Sequence, residues 1–115
     1  MTNTEIKNFC NHSGYSDVTP YEVVRIISDQ TVEIREMDAE RDTNWKPEFH
    51  VGGFSAHCAN QNEQKWFYKS NENNPIERAR FSKARNQWQV NHKDWDAPRR
   101  HNMSDNPRRF YDYNF

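Results

Sequence analysis

The chain contains no leucine in its 115 residues. Leucine is a strong helix former, so a helical domain of this length without it would be unusual. Most of the apolar residues are valine, isoleucine or aromatic, and the aromatic fraction is 14%. These residue types favour strands. The composition therefore predicts a mainly β fold whose core depends on large aromatic side chains.

Two neighbouring segments carry the clearest strand pattern. Residues 21–27 are rich in β-branched side chains, and residues 31–39 alternate, with Val32 and Ile34 on one face. A period of two is typical of a half-buried strand. The turn residues 28–30 between the two segments predict a hairpin.

Later segments repeat this alternation. Residues 66–68, 76–82 and 87–91 are predicted strands, although a short helix over 76–86 is an alternative because that segment contains helix formers. The aromatic-rich residues 110–115 are predicted to form a last strand, with Tyr111 and Tyr113 packing it against a long central loop. The residues predicted to form the core are Val24, Ile26, Val32, Ile34, Trp66, Phe81, Trp88 and Val90.

The length predicts one domain over residues 1–115. We predict an antiparallel meander of five or six strands, or a small SH3-like barrel, with one long irregular loop at residues 40–64. Such a loop is far longer than usual and indicates a functional or unrecognised element. Residues 1–14 are predicted to be a flexible arm or a short strand. The polar residues 92–109 are predicted to be an extended linker around the domain.

Charge is unevenly distributed along the chain. Residues 1–64 hold 5 Lys or Arg against 11 Asp or Glu, and residues 65–115 hold 11 against 6. A basic second half could face nucleic acid or an acidic protein, or acidic and basic strands could pair across a sheet. No apolar run approaches a membrane span or a signal peptide, and two cysteines do not form a disulfide framework. We therefore expect a cytoplasmic protein with reduced thiols and no membrane partner.

The chemistry-bearing residues favour binding over catalysis. The candidate metal ligands are Cys10, His12, His50, His57 and Cys58. Their spacing lacks the paired ligands of a zinc site, so we expect no metal and no cofactor. Cys58 beside His57 leaves open a small-ligand or thiol site, but no flanking motif supports a thiol enzyme, and we expect no catalytic residue.

Two binding surfaces are predicted. A single-stranded nucleic-acid surface would combine basic residues with an aromatic ring for base stacking; its candidates are Arg78, Arg80, Lys83, Arg85 and Trp88. A protein-binding surface would draw on the aromatic and amide-rich central segment and on later arginines, since such residues are common at interface hot spots. Its candidates are Trp45, Phe49, Phe54, His57, Asn60, Gln64, Arg99, Arg100, Arg108 and Arg109.

Several segments of the chain occur in a characteristic order: YSD (15–17), PY (20–21), VEIREMDAE (32–40), NWKPEF (44–49), GGFSAHCANQNEQKW (52–66) and PRRFYDYNF (107–115). Together they resemble a family of small uncharacterised proteins of bacteriophages, prophages and other mobile elements. The resemblance covers residues 15–91 and 107–115 and implies no catalytic residues. It implies the context of a mobile-element accessory gene, whose products are often similar in size and composition to inhibitors of host defence such as anti-CRISPR proteins. The partner expected from this context is a bacterial protein or ribonucleoprotein complex.

Overall fold

The computed structural model describes residues 5–14, 16–52, 55–58, 60–91 and 97–111. Within these ranges the strands are β1 (Phe9–Ser13), β2 (Val18–Thr19), β3 (Tyr21–Ser28), β4 (Thr31–Glu36), β5 (Asp38–Arg41), β6 (Phe49–Gly52), β7 (Ser55–Cys58), β8 (Trp66–Lys69), β9 (Ile76–Ser82), β10 (Gln87–Val90) and β11 (Arg99–Ser104). A short 3₁₀ helix, Gln61–Glu63, lies between β7 and β8. The described part of the chain contains no helix of the length and apolarity that crossing a membrane requires.

Six of these strands close into a barrel. β1, β3, β4, β9, β10 and β11 pair antiparallel in that order, and β11 pairs back onto β1. The two-residue strand β2 extends the sheet beside β1. Closure pairs strand edges that an open sheet would leave exposed, except along β3, which β1 meets at one residue pair only. The predicted mainly β fold, an antiparallel meander curled into a small barrel, is confirmed.

The barrel core is built from inward-facing residues of the alternating strands. Val32 and Ile34 of β4 are fully buried, and Trp88 and Val90 of β10 are 1% and 2% exposed. Half-buried Phe81 packs edge-to-face on Trp88, with the ring centroids 5.7 Å apart. Four of the predicted core residues are therefore confirmed as buried, and Phe81 lies against them.

The prediction that Val24 and Ile26 lie in the core is wrong. Val24 is 37% exposed and Ile26 is 61% exposed. The register of β3 against β4 shifts between Val23 and Arg25 and again between Ile26 and Ser28. Each irregularity disrupts the ladder and bends the strand, so simple alternation no longer decides which side chains reach the core. The predicted core residue Trp66 is only half-buried and lies on β8, outside the barrel.

The segment predicted to be a flexible arm or a short strand and the segment predicted to be a linker both contribute barrel strands. Residues 9–13, within the predicted arm, form β1, and its Cys10 is fully buried. Residues 99–104, within the predicted linker, form β11, which closes the barrel against β1. Residues 76–82 form β9 and not the alternative helix.

An insertion between β4 and β9 forms two small ribbons outside the barrel. β5 pairs with β8, and β6 pairs with β7, so much of the predicted irregular loop is regular strand. One carboxylate of the barrel attaches the insertion close to where β4 leads into it and β8 leads out of it. The carboxylate of Glu22 accepts hydrogen bonds from Arg35 at 2.8 Å and from Ser70 at 2.6 Å.

Candidate functional site

Among the predicted protein-binding residues of the insertion whose side chains the structure describes, Trp45 is buried, and Asn60 and Gln64 form hydrogen bonds within the chain. Trp45 is 8% exposed. The side-chain oxygen of Asn60 accepts the backbone N–H of Glu48 at 2.7 Å, and its amide nitrogen donates to the carbonyl of Lys46 at 2.8 Å. The Asn60 oxygen also lies 3.5 Å from the Sγ of Cys58, which is 1% exposed. Asn60 therefore fixes the path of residues 46–48.

Gln64 joins the insertion to the C-terminal segment. Its Nε2 donates to the carbonyl oxygens of Gln61 at 2.8 Å and Tyr111 at 2.9 Å. Its Oε1 accepts the indole N–H of Trp66 at 2.8 Å and the backbone N–H of Tyr111 at 2.9 Å. One amide thus uses its donor and acceptor groups within the chain. The C-terminal segment meets the central segment as expected, but through the backbone of Tyr111, whose side chain is 44% exposed. Tyr113 lies outside the described residues.

Arg109 completes this attachment. Its guanidinium lies over the rings of Trp66 and Tyr111, at 5.6 and 5.8 Å from their centroids. It also donates to the carbonyl of Val18 at 3.1 Å, and its backbone N–H donates to the Tyr68 hydroxyl at 2.8 Å. Cation–π contacts of this kind each contribute about 0.5–1 kcal/mol at exposed sites. Arg109 therefore connects the β5–β8 ribbon to the end of the barrel.

The other predicted protein-binding residues lie on different parts of the molecule. Arg108 is exposed, 5.9 Å from the centroid of Phe110. Arg99 and Arg100 are exposed on β11. Phe49 and His57 lie on β6 and β7, but their side chains, like the whole of Phe54, are outside the described part of the structure. The role of the set in partner binding stays a prediction.

The Gln64 amide gives a direct test of how the insertion is held. We expect Gln64→Ala to lower the free energy of unfolding by about 1–2 kcal/mol, because several partially buried partners lose their hydrogen bonds. Hydrogen exchange should accelerate at the backbone N–H of Tyr111. Asn62→Ala, an exposed amide on the adjacent 3₁₀ helix, is the matched control and should change neither quantity. Equal effects of both substitutions would contradict the role assigned to Gln64.

The far half of β3 exposes an apolar edge that includes Val24 and Ile26, two residues that the sequence prediction placed in the core. Val24, Ile26 and Ile27 are 37%, 61% and 40% exposed. β1 pairs with β3 only at Phe9 opposite Glu22, and within the described ranges no strand pairs with this edge beyond that point. We call residues 24–28 the β3 edge. One sequence signal could have revealed it: residues 23–27 hold four apolar residues in five positions, which strict alternation cannot bury.

The predicted nucleic-acid residues share the outer surface of the barrel, with one exception. Arg78 and Arg80 project outward from β9, and Lys83 and Arg85 are exposed in the turn that follows. Trp88, in contrast, lies in the barrel core and is 1% exposed. Its ring cannot stack on a base, so its assignment to a stacking surface is wrong.

Opposite charges on this surface pair across neighbouring strands. Glu33 of β4 lies 3.6 Å from Arg25 and 3.8 Å from Arg78. The predicted pairing of acidic and basic strands is therefore present, although exposed pairs of this kind contribute only about 0.2–1 kcal/mol.

The barrel interior contains a cluster of titratable side chains around His101. Its Nδ1 donates to the carbonyl of Cys10 at 2.9 Å, and its ring meets those of His12 and Tyr21 edge-on at 5.1 and 5.0 Å. Burial lowers the pKa of His101 to about 4, and the nearby charge of Arg99 acts in the same direction. Burial also lowers the pKa of His12. Both imidazoles are therefore neutral at pH 7.

Two further groups in this interior are held protonated. Burial raises the pKa of the Cys10 thiol to about 12, which disfavours the thiolate that acts as a nucleophile or metal ligand. Burial, with the Glu77 carboxylate that hydrogen-bonds the hydroxyl, also raises the pKa of Tyr21. Of the predicted metal ligands, Cys10 and His12 lie on β1 and the other three on the β6–β7 ribbon. A search of the described residues finds no group of three or more His, Cys, Asp or Glu arranged to hold a metal.

These features define the class of protein: a small closed β barrel with a strand-built insertion, an exposed apolar strand edge and a basic outer face. Comparisons of the chain with protein-family models, curated proteins and solved structures gave no match.

Proposed function

We propose that the protein is a non-enzymatic binding module that docks onto another protein through the β3 edge. The observation that carries the proposal is the exposure of Val24, Ile26 and Ile27 along a strand that no described strand covers on that side. Exposed apolar side chains gathered in one place are typical of interaction sites. The same residues buried by a partner would contribute about 25 cal/mol for each Å² of apolar surface removed from water.

The geometry of the β3 edge also favours a particular mode of recognition. An unpaired strand edge presents backbone N–H and C=O groups that an added strand can use, while side-chain contacts supply specificity. An exposed edge of this kind otherwise carries a risk of aggregation, which natural proteins reduce with charges or bulges. β3 has two register shifts and the exposed cation Arg25 beside its aliphatic side chains. These devices are compatible with an edge kept available for a selected partner.

The identity of the partner is proposed from context. The resemblance of residues 52–66 and 110–115 to proteins of mobile elements supports a role in the cytoplasm of a bacterial host. Within that role, we propose that the protein occludes a surface of a bacterial immune nuclease complex, in the manner of an anti-CRISPR protein. The expected consequence is a loss of nuclease interference in cells that produce the protein.

The test introduces one charge into the β3 edge. We expect Ile26→Lys to abolish both capture of the host complex and protection from interference, because a cation would have to be buried against apolar contacts. The melting temperature should stay close to that of the wild type, since Ile26 is 61% exposed. Phe67→Lys is the matched control, because Phe67 is 63% exposed on the β5–β8 ribbon and should tolerate the change.

Two results would count against the proposal. The first is a wild-type protein that captures no bacterial complex and leaves interference intact. The second is equal loss of binding in Ile26→Lys and Phe67→Lys, which would place the interface elsewhere than the β3 edge.

A further inference from the structure

We infer that the outer face of β9, β10 and β11 is a binding surface for the phosphate backbone of nucleic acid, without base recognition. We call it the arginine face, and its members are Arg78, Arg80, Lys83, Arg85, Gln89 and Arg100. This inference is independent of the β3 edge and of the protein partner proposed for it.

The strand register brings the central members of this face into one row. Arg80 of β9 pairs with Gln89 of β10, and Gln89 pairs with Arg100 of β11. Neighbouring strands lie about 4.8 Å apart, so the two arginines begin about 10 Å apart on either side of the glutamine. Arg78 lies two positions before Arg80 and therefore projects from the same side of β9, about 7 Å along the strand.

The cations of this face are largely uncompensated. All five are exposed, and only Arg78 has a carboxylate within 4 Å among the described residues, that of Glu33 at 3.8 Å. A local excess of this kind creates a positive potential even though the whole chain has a formal charge of −1. The field therefore favours an anionic partner at this surface.

The uncharged groups on the face indicate which anion fits. The outward side chains between the cations are hydroxyls and amides: those of Thr31, Ser82, Gln87 and Gln89. Together with Arg and Lys, these are the side chains that contact phosphate and sugar oxygens in nucleic-acid complexes. The row of Arg80, Gln89 and Arg100 offers no apolar or aromatic anchor for a protein partner, and the exposed apolar side chain on this side of β9, Ile76, lies at the start of the strand beyond Arg78.

The absence of a stacking ring on this row sets the type of recognition. Trp88, the aromatic residue of β10, faces the core. Base stacking supplies much of the selectivity for single strands, and here it does not contribute. We therefore expect similar binding of single-stranded and duplex DNA, dominated by counterion release and steeply dependent on salt.

The experiment is a salt titration of fluorescence anisotropy with labelled single-stranded and duplex DNA. For duplex DNA, each phosphate contact contributes about 0.9 to the slope of log K against log salt, so Arg80→Gln/Arg100→Gln should reduce that slope by about two. Lys65→Gln/Lys69→Gln removes the same charge from the insertion and should leave the slope unchanged. The β3-edge variant Ile26→Lys should still bind DNA, which separates this surface from the proposed protein interface.

Three outcomes would overturn the inference. They are no binding to either DNA at low salt, equal slope changes in the two double variants, and displacement of DNA by polyglutamate at equal charge concentration. The last outcome would assign the face to an acidic protein.

Discussion

Replacing Trp88 with alanine is expected to lower the free energy of unfolding by about 3–5 kcal/mol. The indole is 1% exposed and packs among the buried side chains of the barrel, against the ring of Phe81. Its removal leaves a cavity that the closed barrel cannot fill without breaking strand pairs. Since domains of this size are stable by only about 5–15 kcal/mol, much of the variant would be unfolded at moderate denaturant concentrations. Urea titration followed by circular dichroism measures the change.

The matched control for Trp88→Ala is Phe67→Ala, which also removes an aromatic ring. Phe67 is 63% exposed, so this substitution should change the free energy of unfolding by no more than about 0.5 kcal/mol. A Trp88 variant as stable as the wild type would show that the indole does not lie in the core. The assignment of β10 as an inward-facing barrel strand would then fail.

Acid is expected to destabilise the protein by about 3 kcal/mol between pH 6.5 and 4 through His101 alone. The pKa of this imidazole falls from 6.5 in the unfolded chain to about 4 in the barrel, mainly through burial. As pH falls from 6.5 to 4, the imidazole therefore binds a proton in the unfolded chain but stays neutral in the folded chain. The stability is fully present above pH 6.5 and is lost progressively towards pH 4. The lowered pKa of His12 acts in the same direction.

Urea titrations at pH 7, 6, 5 and 4 test this expectation. His101→Gln keeps an N–H donor for the carbonyl of Cys10 but cannot titrate, so its stability should vary less with pH than that of the wild type. The pKa of His101 can also be followed directly by proton NMR of the imidazole. A wild-type stability that is flat from pH 7 to pH 4, or an imidazole that titrates near 6.5, would refute the role given to His101.

The sequence predicted those strands whose alternation of apolar and polar side chains is undisturbed. β4, β9 and β10 have one inward face each, and Val32, Ile34, Trp88 and Val90 are buried as predicted. β1 was left open between an arm and a short strand, and β11 was not recognised, because the residues that they bury are unusual for a core. His101 is 2% exposed, and Asn11 is 5% exposed because its amide bonds the chain near Asn106 and Arg108. A polar residue that finds its partners within the fold has the same sequence pattern as one that faces water.

The candidate site was less predictable for the same physical reason. Asn60 and Gln64 have the donors and acceptors that an interface needs, but the fold uses them to hold residues 46–48 and Tyr111. At the β3 edge the opposite error arose, because Val24 and Ile26 are apolar and were therefore assigned to the core. Their exposure in the structure, on a strand whose register shifts twice, shows that these side chains remain outside.

The pairing of β1 with β11 has a consequence for how the molecule is made. Cys10 and His101, joined through one hydrogen bond, are 91 positions apart in the chain. On the ribosome, β1 therefore cannot complete its pairing until β11 has been synthesised, and a nascent chain that lacks β11 cannot form the closed barrel. Non-local pairing of this kind slows folding and lengthens the time during which unpaired strand edges and apolar surface are exposed. A truncation just upstream of β11 would thus prevent closure of the barrel and expose the edges of β10 and β1 that pair with it.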